Sequence, residues 1–202
     1  IIHSKMLKIG ITGGIGSGKT TVCKVFELLD VPVYYADDAY KGLLENDIEI
    51  KNKIVAVFGK EVMDEKNRIV RKKVASLVFE DEQQLKKLNA IMHPAVALHF
   101  DTWLNRYAKA PYILKEAAIM FESGAHLQMD KIITISAPED LRIARVIKRD
   151  GVSREEVKKR MQNQLSEEER IKRSQFVIVN DEQQLVIPRV MKLHREISDM
   201  RY

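Results

Sequence analysis

The residues Gly13-Gly14-Ile15-Gly16-Ser17-Gly18-Lys19-Thr20 satisfy the spacing G-x-x-x-x-G-K-[ST] in full. Glycines at these places let the main chain turn so that successive N–H groups point inward at phosphate oxygens. A helix opening near Lys19 adds the positive end of its dipole. The Lys19 ammonium then reaches the outer phosphates of a nucleoside triphosphate, and the Thr20 hydroxyl suits Mg²⁺. Five of the nine glycines, Gly10, Gly13, Gly14, Gly16 and Gly18, fall in this segment. A glycine-rich turn without a ligand explains that concentration poorly, so the loop is read as an ATP site.

A phosphate loop announces a nucleotide and leaves open what is done with it. A GTPase needs D-x-x-G and N-K-x-D, an ABC-type motor needs an LSGGQ-like signature, and none of these strings occurs. A kinase needs a base for the acceptor hydroxyl and cations over the transferring phosphoryl group. Asp37, just after a short apolar strand, is the candidate base. Position alone leaves Asp37 equally well placed as an N-cap, although Asp38 suits that task better. Arg142, Arg145 and Arg149 stand at i, i+3 and i+7 and share a helical face, with Arg154 and Arg160 following. Such a run is ordinarily a solvated basic face; beside an ATP site, a lid that closes arginines over phosphates is the better account. Glu116, at the end of a strand, can orient Mg²⁺ through water or pair with Lys115 or an arginine. His93 before Pro94 can cap a helix or pack in a helical segment.

Short β-branched runs place these groups. Leu7–Thr12, Val33–Tyr35, Tyr112–Leu114, Lys131–Ile135 and Phe176–Val179 read as strands separated by helical sequence, the alternation of a doubly wound parallel sheet. Val22, Val25, Phe26 and Leu29 form one apolar helical face ahead of Pro32. From Ala39 to about Lys109 the patterns are helical, as in Leu85, Leu88, Ile91 and Met92, so this stretch reads as an insertion. Ser136 with Glu139 and Ser153 with Glu156 read as capping boxes, and Gly151 as a left-handed cap between two basic helices that can hinge.

The chain of 202 residues, 45% apolar and 31% charged, is long enough for one α/β domain with insertions. Its net charge of +5 suits bound phosphates and by itself also suits nucleic acid. Only 6% of residues are aromatic, without the basic–aromatic interleaving that stacks bases, so no nucleic-acid partner is expected. Cys23 is the one cysteine, which excludes an internal disulfide and fits a reducing cytoplasm. It stands on an apolar stripe and reads as a buried structural thiol. No apolar run reaches a membrane span and no secretory leader is apparent. Ile1 to Lys5 precede Met6, a plausible initiator, and are left out of the fold reading.

Taken together, Ile11-Thr12 leading into Gly13-Gly14-Ile15-Gly16-Ser17-Gly18-Lys19, Ala36-Asp37, His93-Pro94, Phe121-Glu122, Arg145 with Arg149-Asp150-Gly151, and Arg160 with Gln164 and Asn180 resemble the dephospho-CoA kinase family from Leu7 to about Asn180. The resemblance implies transfer of the ATP γ-phosphoryl group to the ribose 3′-hydroxyl of dephospho-CoA, the last step of coenzyme A biosynthesis. It also implies a P-loop NTPase three-layer α/β fold with a five-stranded parallel sheet, similar to nucleoside monophosphate kinases. Residues 6–38, 110–140 and 174–202 would form the nucleotide core, 39–109 a helical acceptor insertion and 141–173 the lid. Catalysis would fall to Asp37, Lys19 and Arg145. Nucleotide contacts would run from Gly13 through Thr20 to Thr21, with Arg149 and Asn180. Thr12, Asp37, His93 and Glu116 would face the acceptor, and Arg142, Arg154 and Arg160 would belong to the lid. A monomer or weak homo-oligomer is expected.

Three departures stand out. The family usually has Asp-Ala-Asp where this chain has Tyr35-Ala36-Asp37, which leaves the second acid in place. An acid followed shortly by Pro-Leu-Leu is replaced by Glu116-Ala117-Ala118-Ile119-Met120, and a common glutamine is replaced by Arg142. The nearest rival is a kinase for another small hydroxylated acceptor, a nucleoside or a shikimate-like compound.

Overall fold

The computed structural model describes residues 6–79 and 81–200; Ile1 to Lys5 lie outside this range. The chain divides into two compact units, one made of the described residues through Tyr35 and from Tyr107 onward, the other of Ala36–Arg106.

The first unit is built on five strands: β1 (Leu7–Thr12), β2 (Val33–Tyr35), β3 (Tyr112–Glu116), β4 (Lys131–Ser136) and β5 (Phe176–Val179). Their order is β2-β3-β1-β4-β5 and every pairing is parallel. β1 holds the centre and is buried along both faces apart from the half-buried Lys8, as a strand covered on both sides is. At its Gly10 an added Cβ would come within 2.6 Å of Ile132 and 3.1 Å of Met120, so the glycine admits close packing there. α1 (Lys19–Glu27) and α9 (Val186–Asp199) cover one face, where Ile9, Ile11, Val22, Cys23, Phe26, Ile133 and Val190 bury their side chains. Full burial of side chains this size is worth about 1.5–3 kcal/mol each.

α2 (Ala36–Asn46), α3 (Ile48–Phe58), α4 (Arg71–Val78) and α5 (Glu82–Leu104) make up the second unit. Its own core joins Leu44, Ile50, Ile54, Phe58, Val62, Leu88 and Met92. Asp47 caps α3 by accepting from Ile50 N, and Asp81 caps α5 by accepting from the amides of Gln83 and Gln84. Helix α5 continues through Pro94. His93 is therefore an exposed mid-helix residue and not a cap, since tertiary packing on both sides outweighs the one bond Pro94 cannot donate to Ala90.

Three further helices, α6 (Glu139–Asp150), α7 (Arg154–Gln162) and α8 (Glu167–Lys172), belong to the first unit. Gly151 ends α6 with φ 67°, and Ser153 with Glu156 completes a capping box on α7. The other expected box does not form. Ser136 is the last residue of β4, α6 starts behind Pro138, and the Ser136 hydroxyl donates instead to Glu167. A box needs the serine immediately ahead of the first turn, and strand pairing holds Ser136 two residues too early.

Candidate active site

The loop from Gly13 to Gly18 leaves the carboxyl end of β1 and feeds α1. Gly16 and Gly18 have φ of 78° and 91°, in the region where only glycine sits without strain. The loop closes on itself through Ser17 N to Gly14 O at 3.1 Å, while Lys19 Nζ donates to Gly13 O at 2.9 Å. Lys19 is thereby folded back over the loop, the posture of a phosphate-directed ammonium. Thr20 and Thr21 are exposed in the first turn of α1, whereas Thr12 and Ser17 are buried with hydroxyls that meet no partner among the described residues.

One side of the loop is braced by α6 and the segment after β5. Asn180 Nδ2 donates to Ser17 O at 2.8 Å, and Arg145 donates to Gly16 O at 3.4 Å and to Asn180 O at 3.1 Å. Glu182, at φ 64°, holds the same guanidinium at 2.9 Å. The opposite side is braced by the segment between α7 and α8: Gln164 Oε1 accepts from Ile15 N at 2.9 Å and its Nε2 reaches Ala118 O at 3.5 Å. Arg142, 5% exposed, donates from Nε to Ala137 O and pairs with Glu167 at 3.1 Å. Arg170, 2% exposed, donates from Nη1 to Leu165 O.

Glu116 ends β3 in register with Ile11 on one side and Tyr35 on the other. Its charge reaches α1: burial first, and then Glu116, pushes the Cys23 thiol far above its usual range, with Lys19 pulling the other way. Cys23 is thus a neutral packing group. Lys115 turns to the other sheet face and donates to Gln128 at 3.3 Å.

The structure gathers Lys19, Asn180, Arg145 and Arg142 around one loop, while the other predicted arginines pair with carboxylates. Arg149 pairs with Asp150 at 2.7 Å, Arg160 with the same carboxylate at 3.2 Å, and Arg154 with Asp140. All three arginines are exposed on α6 and α7. Asp37 and Asp38 are both exposed inside the first turn of α2, which begins at Ala36, so neither is its cap. His93 lies in the second unit. Arg170 and Glu182 have no counterpart in the sequence reading, and Gln164 appears there only as a family marker. Arg170 stands in the run Glu167-Glu168-Glu169-Arg170, where nothing separates it from a surface charge; only α8 packing against β4 buries it.

A phosphate loop at the carboxyl end of the central parallel strand, backed by helices carrying arginines to its edge, defines a P-loop kinase fold. The sequence profile of dephospho-CoA kinase matches residues 7–185. A dephospho-CoA kinase of Bacteroides fragilis is 36% identical over 187 residues, 93% of this chain and 91% of that protein. A Thermus thermophilus protein of solved structure superposes with a TM-score of 0.85 at 33% identity, covering 95% and 97% of the two chains. Dephospho-CoA kinase from Campylobacter jejuni superposes at 0.69 with 28% identity over 95% and 96%. The chain belongs to the dephospho-CoA kinase family.

Proposed function

We propose that this chain transfers the γ-phosphoryl group of ATP to the ribose 3′-hydroxyl of dephospho-CoA, giving CoA and ADP. The observation that carries the chemistry is the Gly13–Thr20 loop with Lys19 folded over it, on a chain that matches the family across residues 7–185. In this reading the loop amides and Lys19 hold the triphosphate, and Arg145, anchored on the Gly16 and Asn180 carbonyls, adds charge where the phosphoryl group leaves.

Asp37 takes the proton of the attacking hydroxyl. Support for that role comes from chain geometry: Asp37 lies two residues past β2, whose carboxyl end points the same way as that of β1. Residues 39–109, with His93, hold the acceptor, Thr12 and Glu116 line its approach, and residues 141–173 act as the lid. Thr21, Arg149 and Asn180 complete the nucleotide contacts, and Arg154 and Arg160 close over them when their carboxylate partners release them.

Mg²⁺ fits this donor set, because a hard cation that travels with phosphate oxygens and waters asks for one or two protein oxygens, and the exposed Thr20 hydroxyl stands beside Lys19. Held at Thr20, the ion would supply positive charge against the charge that develops on the phosphates. Glu116 would orient its waters. The buried Cys23 supports a reducing cytoplasmic setting, and no described helix is long and apolar enough to cross a membrane.

Coupled ADP release over a panel of acceptors tests the assignment. Turnover is expected with dephospho-CoA and not with nucleosides or shikimate; the reverse pattern overturns it. Lys19→Ala should abolish ATP retention in equilibrium binding.

A further inference from the structure

Two buried guanidiniums meet at one point of the phosphate loop. A methyl group built on Gly14 would sit 2.9 Å from Arg170 Nη2 and would collide with Arg142 Nη1. The remaining nitrogens are otherwise engaged or enclosed: Arg142 uses Nε on Ala137 O and Nη2 on Glu167, and Arg170 uses Nη1 on Leu165 O while its Nε is buried without a partner. That leaves Arg142 Nη1 and Arg170 Nη2 without an acceptor among the described residues. Behind that point both arginines line a cavity of about 420 Å³ together with Lys158, and the carboxylates of Glu139 and Glu167 share its wall.

We propose that Arg142 Nη1 and Arg170 Nη2, converging on Gly14, form an anion site at the strand end of the loop, and that it takes the phosphoryl group in transit. Charge argues for an anion there. Burial and the neighbouring Arg142 both work against the charged form of Arg170, with Glu167 and Glu122 opposing them; a phosphate between the two arginines relieves that strain. Position argues for the outermost phosphate. The amides nearest the start of α1 serve the inner phosphates, and Ile15 N is already given to Gln164, so the Gly14 edge lies beyond the reach of ADP.

Because the inference rests on the kinase reading, its test separates the two. Wild type, Arg170→Met and Arg170→Lys are titrated with Mg·ADP, with a non-transferable β,γ-imido ATP analogue and with dephospho-CoA, alongside melting temperatures and kcat. In Arg170→Met, ADP affinity should stay within about twofold, analogue affinity should fall about tenfold or more, and kcat should fall on the order of 10²-fold. Arg170→Lys, which keeps the charge and the bulk, should recover part of the analogue affinity and guards against a folding defect in the methionine variant. Equal losses of ADP and analogue accompanied by a lower melting temperature would make Arg170 a structural brace and overturn the proposal. So would unchanged binding of all three ligands, or a loss confined to dephospho-CoA, which would hand the site to the acceptor. A wild-type enzyme that fails to phosphorylate dephospho-CoA would instead remove the underlying function.

Discussion

The roles proposed for Asp37 and Lys19 differ in a way that kinetics can separate. Lys19 is placed to grip phosphate in every state, so its loss is felt as lost nucleotide binding. In the proposed mechanism Asp37 acts only when a proton leaves the acceptor. Asp37→Asn should therefore keep ATP affinity within a few-fold while kcat falls about 10²–10⁴-fold, measured by calorimetric titration and coupled ADP release. Full activity in that variant would remove Asp37 from its role. The arginines of α6 also differ among themselves. Arg142 is buried against the loop, Arg145 is tied to the Gly16 and Asn180 carbonyls and Arg149 is paired in solvent, although all three share one helical face in the sequence.

The hairpin of α6 and α7 depends on its joint. Gly151 turns the chain at φ 67°, and the Ser153–Glu156 box satisfies the first amides of α7 from both directions. Asp150 draws Arg149 and Arg160 together across that joint, and hydrogen bonding from Arg149 holds its carboxyl below the ordinary aspartate range. Ser153→Ala should cost about 1 kcal/mol of α7 stability, visible as faster amide exchange in Arg154–Gln162 with the exchange of β1 unchanged. Protection that stays the same would show that packing of Val157 against Ile143 and Val146 holds α7 without its cap. The acid limb follows from Asp150. A depressed folded pKa contributes stability above the unfolded value of about 4, and that contribution disappears as pH falls through the folded value. Asp150→Asn should flatten the loss of α6–α7 protection below about pH 4, and an unaltered acid limb would rule the carboxylate out as its source.

Two separate hydrophobic cores make the whole molecule answer differently to ligand and to mutation. Phe26, fully buried, lies in the same unit as the phosphate loop, and Ile54, also fully buried, anchors the helical unit. Phe26→Ala should cost about 3–5 kcal/mol and Ile54→Ala about 2–5 kcal/mol in denaturant unfolding. Nucleotide at a hundred times its Kd should return about 2.7 kcal/mol to any variant whose loop is intact. A Phe26→Ala protein that gains nothing from ATP would mean that the core beneath α1 shapes the loop as well as supporting it.

Much of this was legible from residues alone. All five strands fall where β-branched runs predict them, with β3 and β4 extending a little further, and the phosphate loop declares itself because its function is carried by backbone shape that only glycines permit at that spacing. Local rules failed where neighbours in space decide. Ser136 has the right residue three places ahead for a box, yet strand pairing holds it out of the helix; His93 precedes a proline, yet α5 continues. Arg170 and Glu182 come beside the loop only because α8 and the segment after β5 pack there. Spacing along the chain determines which groups a single turn or strand presents, and so the sequence alone identified the nucleotide and the kind of transfer. Which cations lie buried beside Gly14 depends on contacts between residues more than a hundred positions apart; tertiary packing alone decided that.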